Sequence, residues 1–252
     1  MKLSLASVLV AALAPVTLAA CAHVTPSSNS TPEHGSATVA VQAPGAFTRL
    51  DVRGPVDVTI HEGRPYAMSV TVDGVPPSAV QTRIEGSTLV VDLDDEEHHG
   101  FCIGFCAHNE SARLDLDVPS LEAIVVDGSG DVSMEGSGAH PRFDIEVNGS
   151  GDVAYAGDAE SLRCKVDGSG DVKLRGTAKR LAVEIAGSGD VDAHALAAGG
   201  GEFDIEGSGD LQVDLHGGDT SIRVRGSGDM VYSGQAKITA LDVSGSGDVH
   251  QR

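Results

Sequence analysis

The tetrapeptide Gly-Ser-Gly-Asp occurs seven times, starting at Gly128, Gly149, Gly168, Gly187, Gly207, Gly226 and Gly245. Successive copies are 21, 19, 19, 20, 19 and 19 residues apart. A period this short and regular belongs to stacked coils, each of which buries a face against the next. The flanking residues decide between helix and strand. Counting the first glycine as position 0, position −2 reads Val126, Val147, Val166, Ile185, Ile205, Val224 and Val243. Position −4 is apolar from Ile124 to Leu241, and position +4 is Val, Leu or Met in every copy. The odd positions between them are mostly polar. Alternation with β-branched residues is the period of a strand.

Parity accounts for the glycines. They share it with the apolar columns, so both should point inward at a narrow corner where a Cβ would collide with those columns. Glycine also reaches the φ > 0 conformations that such a corner demands. Position +8 is often glycine again (Gly136, Gly157, Gly176, Gly234) and marks a further corner. Ser and Asp have the opposite parity and face solvent.

Asp131, Asp152, Asp171, Asp190, Asp210, Asp229 and Asp248 then form one outward column, with a spacing of about 4.8 Å. Like charges that close repel by about 1 kcal/mol per pair in water. A Ca²⁺ between adjacent carboxylates would offset this, with Ca–O distances of about 2.4 Å. One Asp and one Ser per coil, however, supply few of the roughly six to eight oxygens that calcium takes. Hydrogen bonds from turn N–H groups or from the Ser hydroxyl are the simpler solution. The reading is therefore of a corner motif that needs no cofactor, with weak Ca²⁺ binding as the competing one.

A net charge of −20 excludes a nucleic-acid partner, which needs a basic face. It equally excludes direct attraction to anionic lipid. The chain holds 32 Gly, no Trp and eight other aromatics, and its central tract shows no amphipathic helix pattern. The opening "MKLSLASVLVAALAPVTLAAC" has one positive charge, an apolar stretch and small residues running up to a cysteine, which is an export signal. Leu18-Ala19-Ala20-Cys21 resembles the lipobox of bacterial lipoproteins. That resemblance implies cleavage before Cys21, lipidation of its thiol and a membrane partner reached through the anchor. Several acyl chains hold where one would be marginal. Ala22, in place of the Asp that retains such proteins in the inner membrane, favours the outer membrane.

Four segments follow: a signal peptide (1–20), a Pro/Ser-rich flexible tether (21–37), irregular N-terminal coils that cap the solenoid (38–119), and the GSGD-repeat β-helix (120–252). "LDVRGPVDVTIHEG" lines up with "IVVDGSGDVSMEG", matching Gly54 to the first motif glycine, Asp57 to the aspartate and Val58 to the +4 column. Terminal coils of solenoids are atypical.

The succession "GAFTRLDVRGPVDVTIHEG", "VQTRIEGSTLVVDL" and "VPSLEAIVVDGSGDV", followed by GSGD coils, resembles the putative auto-transporter adhesin, head GIN domain family over roughly residues 45 to 250. The resemblance implies an all-β, single-stranded, right-handed parallel β-helix with about 19–21 residues per coil, often exported or lipid-anchored in bacteria. It supplies no catalytic residues. Residues 95 to 112 match no motif of the family.

Those residues hold Cys102 and Cys106, which a disulfide could join across a three-residue loop. His98, His99, Cys102, Cys106 and His108 are also competent Zn(II) or Cu(I) ligands. The C-x₃-C spacing departs from the usual C-x₂-C, and exported thiols tend to oxidise, so the disulfide is favoured. Cys164 sits in the inward −4 column and reads as a small buried hydrophobe.

Enzymes built on β-helices need bulky loops that carry clustered catalytic groups. Coil length here varies by two residues, and the one irregular stretch is "ALAAGGGE" at 195 to 202. No catalytic residue is assigned. The expected protein is a non-catalytic, lipid-anchored outer-membrane solenoid that binds an envelope or surface protein or polysaccharide, or serves envelope architecture. An envelope polysaccharide-active enzyme and a metal-handling lipoprotein using the His98–His108 segment are the alternatives. The sequence leaves the oligomeric state open.

Overall fold

The computed structural model describes residues 37–41, 45–93 and 111–252. The described residues form strands throughout, with one 3-10 turn at Pro77–Ala79. The first part contains β1 (Ala37–Val41), β2 (Arg49–Gly54), β3 (Val56–Glu62), β4 (Ala67–Asp73), β5 (Val80–Glu85), β6 (Thr88–Leu93) and β7 (Ser111–Val118). The repeats begin with β8 (Ala123–Gly128), β9 (Val132–His140), β10 (Phe143–Gly149), β11 (Val153–Gly168) and β12 (Val172–Gly187). They end with β13 (Val191–Ala198), β14 (Gly201–Gly207), β15 (Leu211–Gly226), β16 (Met230–Gly245) and β17 (Val249–Gln251).

Each repeat stacks on the last in parallel register, and the fold is a β-solenoid of about seven turns. On the wall that leads into the motif, Ile124 pairs with Ile145, then Ile145 with Cys164, Cys164 with Val183, and Val183 with Phe203. On the wall that leaves it, Val132 pairs with Val153, Val153 with Val172, and Val172 with Val191. Hydrophobic alternation sets this register, because a slip of one residue would turn every apolar side chain outward. The −2 column from Val52 to Val224 is at most 1% exposed except where the stack ends. Side chains fill the interior.

The first coil keeps the register that its alignment with the repeats predicts. Gly54 pairs with Gly128 and Val58 with Val132. Val56 stands where the repeats have their second glycine; the Gly130 corner stacks on one side of it, and on the other it pairs with Ala112 of β7, not with a further corner. Spatial order departs from chain order here. β6 lies on the far side of β2 and β7 on the far side of β3, so residues from the later strands sit beneath the earlier coil. β4 then pairs antiparallel with β7, β1 antiparallel with β4, and β5 antiparallel with β6. These strands close the N-terminal end of the stack, where open parallel edges would otherwise invite pairing with other chains.

Candidate functional site

The repeated corner is the most distinctive surface feature. At Gly168-Ser169-Gly170-Asp171, the N–H groups of Ser169 and Gly170 both donate to the Gly149 carbonyl of the coil beneath, at 2.8 and 3.2 Å. Val172 N–H points the other way, to the Asp190 carbonyl of the coil above, at 2.8 Å. Between them the direction of the ladder reverses, and Asp171 N–H donates to Oδ1 of Asp152 at 2.8 Å. The arrangement repeats along the column. Asp131 N–H reaches Asp57, and those of Asp152, Asp190, Asp210, Asp229 and Asp248 reach the aspartate one coil back, at 2.8–3.2 Å. Each carboxylate thus supplies the acceptor that no backbone carbonyl offers at the reversal. The donor belongs to the neighbouring coil, not to the aspartate's own turn.

An amide oxygen accepts as a carboxylate oxygen does, so Asp171→Asn should leave stability within about 0.5 kcal/mol. Asp171→Ala removes the acceptor for Asp190 N–H and should cost about 1 kcal/mol, the lower part of the range because water reaches this corner. Urea denaturation of both variants checks the pair.

The glycines are required for a reason beyond the expected clash with apolar columns. A Cβ on Gly170 would lie 2.2 Å from the Gly151 carbonyl oxygen, and only then 3.0 Å from Val147. The corners stack so closely that backbone meets backbone. Gly168 also has φ +143°, a conformation that other residues rarely adopt.

Beside the aspartate column runs an open groove of about 310 Å³, lined by Asp131, Asp152, Asp171, Ser133, Lys173 and Arg113 among others. A second open depression of about 530 Å³ lies on the wall leading into the corners, over Cys164 and Ala182. Much of its charged rim is paired across coils, with Arg223 on Asp204 at 2.8 Å and Arg163 near Glu184 at 3.5 Å. Such exposed pairs, screened by water, add little to stability. Both grooves offer a regular array of charge and hydrogen-bonding groups along the stack. Among the described residues, no three His, Cys, Asp or Glu side chains converge to hold a metal ion.

Sequence reasoning missed a Ser–Asp–His cluster, visible only once coils are stacked 19 residues apart. Ser233 donates to Asp214 Oδ1 at 2.7 Å, and His216 Nε2 lies 2.8 Å from Asp214 Oδ2. The bonds from Ser233 and His216 hold the Asp214 carboxyl below its ordinary value. The order is wrong for nucleophilic catalysis. A reactive serine needs the imidazole as its base, with the carboxylate behind it, whereas here the carboxylate sits in the middle.

Cys164 is fully buried, and burial pushes its thiol up to about 12. It should resist alkylation at pH 8 in the folded protein and react at once in denaturant, as mass spectrometry would show; rapid labelling of the native chain would contradict its placement. Cys21, His98, His99, Cys102, Cys106 and His108 lie outside the described residues.

A second group that the sequence did not signal is buried where the first coil meets the repeats. Glu62 of β3 accepts the Leu121 N–H at 3.0 Å, and its other oxygen lies 3.2 Å from His140 Nε2. Phe143 packs edge-on to His140, with ring centroids 5.0 Å apart, and stacks toward Tyr155. Burial, with the nearby Glu62 charge, drives the Tyr155 hydroxyl well above its ordinary value.

These features define an acidic β-solenoid with a packed interior, most of its charged groups on the outer surface. The chain belongs to the family described as putative auto-transporter adhesin, head GIN domain, whose sequence model matches residues 46–236. A search of curated proteins gave no match. Among solved structures, a putative adhesin from Bacteroides fragilis is similar with a TM-score of 0.68 and 22% identity, covering 86% of this chain and 97% of that one. A putative adhesin from Parabacteroides distasonis gives 0.65 at 18% identity, with 87% and 98% covered. A putative lipid binding protein from the same organism gives 0.63 at 22% identity, with 86% and 96% covered. At these identities the likeness establishes the fold.

Proposed function

We propose that the chain is a non-catalytic binding module of the cell envelope, exported and anchored through lipid on Cys21 at the outer membrane. The observation that carries this reading is the uniformity of the coil wall. Among the described residues, seven corners of one chemistry stack with no loop protruding between the repeats, and the conspicuous side chains are used in holding coils together. What remains for function is the outer surface, a rigid lattice of carboxylates repeating about every 4.8 Å. Such a lattice suits a ligand that is itself extended and repetitive, a polysaccharide or a surface protein. The family and the similar structures are named as adhesins or binding proteins, in keeping with recognition over catalysis.

Two measurements on producing cells test the reading. Cys21→Ser should release the chain from the membrane fraction or stall its maturation. Protease added to intact cells should remove the solenoid if it faces outward, as adhesion requires. Unchanged membrane partitioning of Cys21→Ser contradicts the anchor, and full protection from protease contradicts adhesion.

A further inference from the structure

The two ends of the stack are finished differently. Antiparallel strands close the N-terminal end, whereas among the described residues no strand covers residues 235–245 of β16 at the other. β17 pairs only with Met230–Tyr232, on another side of the coil. The apolar columns therefore surface here, with Ile238 37%, Leu241 57% and Val243 42% exposed. A parallel edge with its row of unpaired backbone groups is a template for another strand.

The sequence of that edge specifies which strand fits. Ile238, Leu241 and Val243 continue the inward columns above Thr220, Ile222 and Val224, while Lys237 and Asp242 stand on the outer face above Asp219 and Arg223. Ala236 packs against the core. An antiparallel copy of the same segment, centred between Thr239 and Ala240, sets Thr239 against Ala240, Ile238 against Leu241, Lys237 against Asp242, Ala236 against Val243 and Gln235 against Ser244. Inward residues meet inward residues, and by symmetry the opposite charges meet twice. Opposite charges placed directly across an antiparallel pair stabilise it, and like charges oppose it. Net charge points the same way. Residues 230–252 carry Lys237 and Arg252 against Asp242 and Asp248, no net charge, in a chain of net −20. This end is where two acidic bodies can approach.

We infer that the 235–244 edge is a self-association surface that joins two copies end to end through an isologous, two-fold strand pair. The pairing is confined to these residues, because full overlap of the two ends would bring both β17 strands into one layer. Lys237 exchanges its bond to Asp219 (2.7 Å, both side chains exposed) for one across the interface. The joined pair would present two acidic lattices on one continuous core.

Sedimentation velocity on the full chain, carrying Cys21→Ser so that acyl chains play no part, tests the inference over roughly 1–100 μM, a range matched to micromolar association. A concentration-dependent dimer is expected. Lys237→Asp places like charges opposite each other twice and should weaken the dimer about tenfold. Adding Asp242→Lys to that variant recreates the opposite pair and should restore the association. Both positions are exposed, so the circular dichroism spectrum should stay that of the wild type. A monomer at every concentration overturns the inference. So does a dimer indifferent to Lys237→Asp, or one that the double exchange fails to restore.

Discussion

Gly170→Val is expected to cost roughly 3 kcal/mol or more and to lower the melting temperature by about 10 °C. The first atom of the new side chain would sit 2.2 Å from the Gly151 carbonyl oxygen, and that neighbour is backbone, not a side chain able to swing away. To make room, the corner must lift off the coil beneath. That strains the bonds from Ser169 and Gly170 to the Gly149 carbonyl and from Asp171 to Asp152. The branched methyls add overpacking against Val147. Ser169→Val one residue earlier is the control: Ser169 is exposed, so it should be tolerated within about 0.5 kcal/mol. Calorimetry on the two variants reads the difference, and equal melting temperatures would show that the corner is not close-packed.

The second large effect is expected at His140. Its side chain and that of Glu62 are 6% and 2% exposed, so the pair is shut away from water. Removing one partner from a buried ion or hydrogen-bonded pair typically costs about 3–5 kcal/mol. His140→Ala also strips the ring that packs on Phe143. Glu62→Gln should be milder, about 1–2 kcal/mol, since the amide oxygen can still accept the Leu121 N–H. Because Glu62 belongs to β3, His140 ends β9 and Leu121 precedes β8, the damage should fall on the junction between the first coil and the repeats. Hydrogen exchange should therefore show protection lost there before the central coils open. A loss below about 0.5 kcal/mol for His140→Ala would mean that the pair does not hold this junction.

The repeat region was legible in the sequence because each GSGD copy fixes parity and phase together. Once Val126, Val147 and Val166 are aligned, the register of every wall follows. The glycine corners were legible for the same reason, although a sequence does not reveal that the nearest obstacle to a Cβ is the carbonyl of the coil beneath. The N-terminal closure was not legible, since β6 and β7 follow β2 and β3 in the chain but lie under them in space. No local pattern records such a reversal of order. Glu62 and His140 were hidden for another reason. They are 78 residues apart and neither recurs in the repeat, so nothing marked them as partners. The aspartate ladder lay between these cases: its outward column followed from parity, whereas its role depended on where the backbone ladder turns over.

We read the aspartate column as a row of architectural acceptors, each Oδ1 taking the N–H of the aspartate one coil on. Scanning calorimetry of the purified chain in EDTA and in millimolar Ca²⁺ tests it most directly, with Asp171→Asn measured alongside. If the Oδ1 atoms serve the N–H groups of neighbouring coils, wild type and variant should melt together, and neither should respond to calcium by more than about 1–2 °C. A ligand present at about a hundred times its dissociation constant stabilises by roughly 2.7 kcal/mol. A wild-type melting temperature that rises by many degrees with calcium and falls in EDTA, while Asp171→Asn loses the response, would make the column a cation site.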